Sequence, residues 1–146
     1  MRIGAPGAWR RVAATLVDSN VLIDIVAEDP RWAQWSEEAL VSALDEGSVF
    51  VDQIVFAEIS IGYTSAESCQ QALAARGLEL IPIPWPAAFL AGRAYSAYKQ
   101  RGGTKLAPLP DFFIGAHAAV AGLRLLTRDA SRYRSYFPTV ELIAPE

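Results

Sequence analysis

Short apolar runs alternate with amphipathic stretches along this chain. Ala13 to Val17 is apolar and ends in Asp18-Ser19-Asn20, which predicts a buried strand feeding a helix over Val21 to Ala27. Pro30 starts a second helix through Leu44 and Glu46, stopped by Gly47. Ser48 to Val51 reads as a second strand, and Asp52 as the N-cap of a helix over Gln53 to Tyr63. Ser65 to Arg76 forms a further helix closed by Gly77. Leu78 to Ile83 is strand-like until Pro84 and Pro86, which introduce an Ala-rich helix over Ala87 to Gln100. A loop over Thr104 to Pro110 leads to a helix over Asp111 to Ala121. Arg124 to Leu126 is a strand, Tyr133 to Phe137 a short helical turn and Val140 to Ile143 a last strand. Strands alternating with helices in this way indicate an α/β layer fold with a mainly parallel sheet. Ligands of such sheets bind outside the carboxyl ends of the strands. Asp18 and Asp129 stand at two such ends.

The length of 146 residues fits a single domain, expected over residues 14–146, with residues 1–13 a loose tail or an overcalled start. No apolar run approaches a membrane span, and no export signal is evident, so the cytoplasm is the default compartment. The single cysteine, Cys69, excludes an intrachain disulfide and reads as a small buried hydrophobe. A net charge of −3 argues at first against a nucleic-acid partner. The charge is uneven, however: residues 1–90 hold five basic and twelve acidic side chains, and residues 91–146 hold eight and four.

Four acids carry the chemistry. Asp18 follows the first strand directly, where an N-cap is the ordinary role. Glu58 shares its helical face with Ile54, Val55, Ile61 and Gly62, an apolar setting in which a carboxylate calls for a proton, a partner or a metal. Asp111 opens its helix on the face of Ile114, Gly115 and Ala118, and Asp129 can cap the short helix that follows it. Gathered at one crevice, four carboxylates repel unless a hard cation neutralises them. Oxygen ligands without His or Cys favour Mg²⁺ or Mn²⁺. Such a site suits phosphoryl chemistry, because the metal lowers the pKa of a bound water and stabilises charge on the phosphate.

These residues also carry a family likeness. Leu16-Val17-Asp18-Ser19-Asn20-Val21-Leu22 resembles the opening strand and first acid of PIN-domain ribonucleases. Phe56-Ala57-Glu58-Ile59 followed by Gly62, the run from Asp111 to Ala118, and Leu125-Leu126-Thr127-Arg128-Asp129 resemble their remaining acid motifs. The closing Tyr136-Phe137-Pro138 and Glu141-Leu142-Ile143 is similar to the VapC toxins of bacterial toxin–antitoxin pairs. The likeness runs from Thr15 onward, with 40, 53 and 18 residues between successive acids. It implies a PIN-like three-layer α/β/α fold with sheet order 3-2-1-4-5 and an acidic pocket for Mg²⁺ or Mn²⁺. It further implies an endoribonuclease inhibited by a small VapB-like antitoxin whose tail covers the pocket. By position, Asp18 and Asp111 would be the principal metal ligands, with Glu58 and Asp129 completing the pocket directly or through water. Ser19 or Thr127 would orient a carboxylate or a water. The reaction expected is in-line hydrolysis of an RNA phosphodiester, leaving a 5′-phosphate and a 3′-hydroxyl. The departure is at the start, where seventeen residues precede Asp18 instead of a few.

Lys99, Arg101, Lys105, Arg124, Arg128, Arg132 and Arg134 are candidate contacts to the RNA backbone, and Gly102-Gly103 would let their loop approach a substrate. His117 lies six residues beyond Asp111, about 120° around the helix, and so faces elsewhere. Trp32, Trp35, Trp85, Tyr95 and Tyr98 read as core or dimer contacts rather than base-stacking groups. The small-residue stripe Ala87, Ala91, Ala94 and Ala97 suggests close packing, including between subunits of a homodimer. A haloacid-dehalogenase-like phosphatase is disfavoured because Asn20 stands where its second acid belongs, and no Gly-rich phosphate loop occurs. A PIN nuclease of RNA maturation and a PIN-like binding module without activity stay open as alternatives.

Overall fold

The structure is a computed structural model and describes residues 13–106 and 109–146; the expected N-terminal tail, residues 1–12 of it, lies outside the described residues. Strand β1 (Thr15–Val17) is followed by helices α1 (Ser19–Val26) and α2 (Ala33–Glu46). Strand β2 (Val49–Val51) then leads to α3 (Gln53–Ile59) and α4 (Ala66–Ala75). After β3 (Glu79–Leu80) come α5 (Trp85–Gln100) and α6 (Pro110–Ala121). Strand β4 (Arg124–Leu126), helix α7 (Ser131–Tyr136) and β5 (Leu142–Ile143) complete the domain. All five strands are parallel, in the order β3-β2-β1-β4-β5, with helices flanking the sheet.

The strands are short, yet β1 occupies the centre because each of its residues is fully buried. Its register sets Leu16 against Phe50 and Leu125, and Val17 against Leu126. A parallel sheet must be covered on both faces, which is why β1, β2 and β4 are apolar except at the first residues of β1 and β4, Thr15 and Arg124. Strand order reverses at β1, between β2 and β4, so the crevice for a ligand opens beyond Val17, at Asp18.

Helix α6 is the most deeply buried, with Phe112 and Ile114 to Ala118 all inside. Gly115 is required there: a Cβ at this position would lie 2.3 Å from the Phe137 ring. The Ala stripe of α5 faces this helix, with Ala87, Ala91 and Ala94 buried in the chain's own core rather than at a subunit contact. His117 points away from the acids, as its helical position requires. Its Nδ1 is 2.9 Å from Asp52 Oδ2, and both side chains are fully buried. Since Asp52 also caps α3 by accepting from the Val55 N–H, this pair ties the helix carrying Glu58 to the helix carrying Asp111. Cys69 is buried, as expected.

Local bonding explains where the elements differ from the sequence expectation. Helix α2 starts at Ala33 rather than Pro30 because the Asp29 carboxylate accepts from the N–H groups of Arg31 and Trp32, holding a turn. The helix over Gln53 to Tyr63 tightens after Ile59 into a 3₁₀ turn, Ser60–Gly62. Strand β3 shrinks to two residues because the Ile83 N–H donates to the Gln53 side chain instead of to β2. Pro86 is accommodated inside the first turn of α5, where its missing N–H costs nothing, so that helix begins at Trp85. Trp85 itself is 88% exposed and is no part of the core, whereas Trp32 and Trp35 pack edge to face.

Candidate active site

Asp18, Ser19 and Asn20 each make a different long-range connection at the carboxyl end of β1. Asp18 caps α1, its Oδ1 accepting from the Ser19 N–H at 2.8 Å. Its Oδ2 accepts from the Tyr133 hydroxyl at 2.8 Å and the Thr127 hydroxyl at 2.9 Å. Ser19 donates from Oγ to Glu58 Oε1 at 2.7 Å, drawing the glutamate of α3 toward the strand end. The Asn20 side-chain amide spans the crevice: Nδ2 donates to Thr127 Oγ1, and Oδ1 accepts from the Arg128 N–H. The three residues therefore place one acid, orient a second and fix the turn that carries a fourth.

Asp111 stands half-exposed at the start of α6, its Oδ2 accepting from Arg132 at 3.2 Å. Its Oδ1 lies 3.4 Å from the Tyr133 hydroxyl, so that one oxygen touches both Asp18 and Asp111. Asp129 is exposed in the turn after β4; its N–H donates to Thr127 Oγ1 and its carboxylate accepts from Ser131. The sheet and helices thus bring all four sequence-predicted acids to one edge, with Asp18 and Asp111 linked through Tyr133, Glu58 through Ser19, and Asp129 through Thr127.

Electrostatics follow from this crowding. Asp18 is only 4% exposed, and its pKa is pushed up to about 6. Burial is the main cause and the like charge of Asp111 adds to it, against the hydrogen bonds from Tyr133 and Thr127. The same burial, with Asp18, Asp111 and Glu58 nearby, pushes the Tyr133 phenol far above its ordinary value. Tyr133 therefore remains a proton donor to Asp18 at any physiological pH.

Among the described residues, no three His, Cys, Asp or Glu side chains stand close enough together to hold a metal ion by themselves. The donor set still fits a hard divalent cation. Mg²⁺ is commonly held by one or two carboxylates and keeps several waters, and the mutually repelling Asp18–Asp111 pair supplies two. Glu58 and Asp129 are tied to that pair only indirectly, Glu58 through the Ser19 hydroxyl and Asp129 through the Thr127 hydroxyl.

The cationic candidates separate. Arg128 is bound through two nitrogens to the buried Asp24, at 2.6 and 3.1 Å, and lies over the Trp32 ring. Arg124 sits at the opposite end of β4, bonded to Thr15, Ala13 O and Glu46, away from the acids. Arg132 is committed to Asp111. Lys99, Arg101, Lys105 and Arg134 are exposed. Sequence reading missed Tyr133, Asn20 and the Asp24–Arg128 pair. A tyrosine on a short polar helix and an asparagine in a strand-end turn look ordinary until the chain closes on itself.

The chain is a parallel α/β domain with acids gathered at its switch point, where ligands of such sheets bind. The family model of the PIN domain matches residues 15–137, and the chain belongs to that family. No curated protein matches it. Among solved structures it is similar to a chain of VapBC2 from Rickettsia felis, bound to a DNA fragment from their promoter, at 19% identity and TM-score 0.69. The match covers 91% of this chain and 99% of that one. It is also similar to VapBC-1 of nontypeable Haemophilus influenzae, at 14% identity and TM-score 0.67, covering 90% and 97%. DNA-bound VapBC from Salmonella typhimurium matches at 18% identity and TM-score 0.64, covering 90% and 97%. At these identities the likeness is one of fold. Among the described residues, no helix is long and apolar enough to cross a membrane.

Proposed function

We propose that the protein is a metal-dependent endoribonuclease, the toxin of a VapBC-type toxin–antitoxin pair. The observation that carries this reading is the convergence of Asp18 and Asp111 on one tyrosine hydroxyl at the switch point of the sheet, with Glu58 and Asp129 flanking them. Asp18 and Asp111 would hold Mg²⁺ or Mn²⁺. A cation there supplies a water of lowered pKa and stabilises charge on the phosphate oxygens. Thr127 and Tyr133 fix one oxygen of Asp18, leaving Oδ1, which accepts only the Ser19 N–H, as its open face. Ser19 orients Glu58. Lys99, Arg101 and Lys105 are suited to the RNA backbone; Arg128 is not, being committed to Asp24.

An antitoxin partner is supported by an apolar groove of about 450 Å³ that has Glu58 among its lining residues. Leu22, Ile23 and Val26 of α1 form one wall, and Ile59, Ile61 and Tyr63 form the other. Ile23, Val26 and Ile61 are exposed at 45%, 63% and 89%. An amphipathic helix of a small antitoxin, laid in this groove, would lie against Glu58. A homodimer goes with this reading, through the α5 face on which Trp85 and Phe89 stand exposed one turn apart; sedimentation showing a monomer at high concentration would remove it.

The decisive experiment is expression of the wild type and Asp18→Asn in a bacterium, with RNA 5′ ends mapped. New 5′ ends should appear with the wild type alone. Equal cleavage by a folded Asp18→Asn variant, supplied with Mg²⁺ and Mn²⁺, would remove the site assignment. Cleavage of a maturing RNA without growth arrest would favour a PIN nuclease of RNA maturation, and absence of Mn²⁺ binding would favour a binding module.

A further inference from the structure

Beside the acids, on the side of α7, lies a cavity of about 310 Å³ lined by Asp111, Asp129, Arg132 and Tyr136, with Tyr98 and two serines closing it. We propose that this cavity is a subsite for a single nucleotide of the RNA chain, next to the phosphate that is cut. The proposal rests on the ribonuclease reading above and adds where a base is held.

The walls supply what a nucleotide needs. Tyr136 packs edge to face on the buried Phe112, with ring centroids 5.2 Å apart, and Phe112 meets Tyr98 in the same way at 5.6 Å. The buried ring thus anchors two half-buried tyrosines that border the cavity. Tyr98 is held in turn by the glycine loop: a Cβ on Gly103 would lie 2.2 Å from its ring, and the Thr104 N–H donates to its hydroxyl. Fixed aromatic rings bind bases at low entropic cost and accept any base through its π-face.

The polar groups are matched as well. The Arg101 guanidinium rests 4.9 Å from the centre of the Tyr136 ring, the position a stacked base would take. Arg101 makes no ion pair among the described residues, so it is free to move to a phosphate when the base enters. Arg132 stands at the same rim on Asp111. Ser131 and Ser135, one turn apart on α7, donate to Asp129 and to the Ser131 carbonyl, which leaves the hydroxyl oxygens as acceptors for a ribose or a base edge. The volume is at the low end for small-ligand sites, roughly 300 Å³ and upward, and suits one nucleotide rather than two. A free phosphate or an acidic peptide without aromatic groups brings no planar ring to set against Tyr98 and Tyr136, whereas a nucleotide does.

The test uses a fluorescent single-stranded oligoribonucleotide and the full-length protein carrying Asp18→Asn, so that binding is read without cleavage. Tyr136→Leu should weaken binding about tenfold, and Tyr136→Phe, which keeps the ring, should restore it. Ser135→Trp fills the cavity from an exposed position, where folding is not at stake, and should weaken binding at least as much. In the cleaving protein, both damaging variants should shift the base preference next to the cut. If the wild type cuts RNA while Tyr136→Leu and Ser135→Trp bind and cut with unchanged affinity and preference, the subsite is overturned and the nuclease stands. If the wild type neither binds nor cuts RNA, both readings fall together.

Discussion

The Tyr133 hydroxyl donates to Asp18 at 2.8 Å from a helix 115 residues further along the chain. The same oxygen is 3.4 Å from Asp111, so the spacing of the two leading acids is set by a side chain that is neither acidic nor exposed. Removing the hydroxyl while keeping the ring should leave the fold intact and loosen the pair. Tyr133→Phe is expected to bind Mn²⁺ about 10–100-fold more weakly, the usual cost of losing a partner that orients a ligand. Calorimetric titration with Mn²⁺ checks this without RNA. Unchanged or tighter binding would mean that the hydroxyl only fills space between the carboxylates.

A second prediction concerns pH. The Asp18 pKa is raised from its ordinary 3.8 to about 6 in the folded protein, so the charged form is the disfavoured one. Its contribution to stability is therefore present in full below about pH 4 and is lost as pH rises through 6. In EDTA, Asp18→Asn should melt higher than the wild type at pH 7, by several degrees. The advantage should shrink between pH 6 and 4 and vanish below that. Excess Mg²⁺ should raise the melting temperature of the wild type only, since a bound cation stabilises the folded state by mass action. Thermal melts at four pH values, with and without metal, measure all of it.

Much of the fold was legible because its signals are local. The run Thr15-Leu16-Val17 has no polar residue to spare for a solvent face beyond Thr15, and its neighbours repeat the pattern, which specifies a parallel sheet. The apolar face expected around Glu58 holds only on its N-terminal side, at Ile54 and Val55: the helix tightens at Ser60, which leaves Ile61 89% exposed and Glu58 half-buried. What escaped depends on closure over long sequence separations. Asp24 looks like a surface acid of α1, yet it is 2% exposed because Ser36 and Arg128 reach it from α2 and from the β4 turn. Arg128, beside Asp129, looks like an RNA contact for the same reason: sequence proximity to the site says nothing of where a long side chain turns.

The Asp24–Arg128 pair gives a third prediction that separates folding from RNA binding. Deleting Arg128 strands a buried carboxylate, which in comparable pairs costs about 3–5 kcal/mol. Arg128→Ala should therefore lower stability in urea by an amount of that order, and lose activity by unfolding. Lys99→Ala and Lys105→Ala are exposed and should leave stability unchanged while flattening the salt dependence of RNA binding. Denaturant titration beside anisotropy at two salt concentrations distinguishes the two groups. A fully stable Arg128→Ala variant with weakened RNA binding would return this arginine to the substrate.

The apolar groove beside α1 gives the last. Val26 and Ile61 are exposed on its opposite walls, where a charge disturbs no core packing. Val26→Asp and Ile61→Asp should leave melting temperature and RNA cleavage near the wild type. Each places an unpaired carboxylate against the apolar face of any helix lying in the groove, a desolvation cost of several kcal/mol. Release of the antitoxin is then expected, and with it growth arrest in cells that co-express both proteins. Co-purification with a co-expressed VapB-like antitoxin reads the contact directly, and growth reads its consequence. Retention of the partner by both variants would move the inhibitory contact elsewhere on the domain. Loss of the partner with cleavage intact would place inhibition in a groove that Glu58 lines, so that an occupant of the groove touches one of the four acids directly.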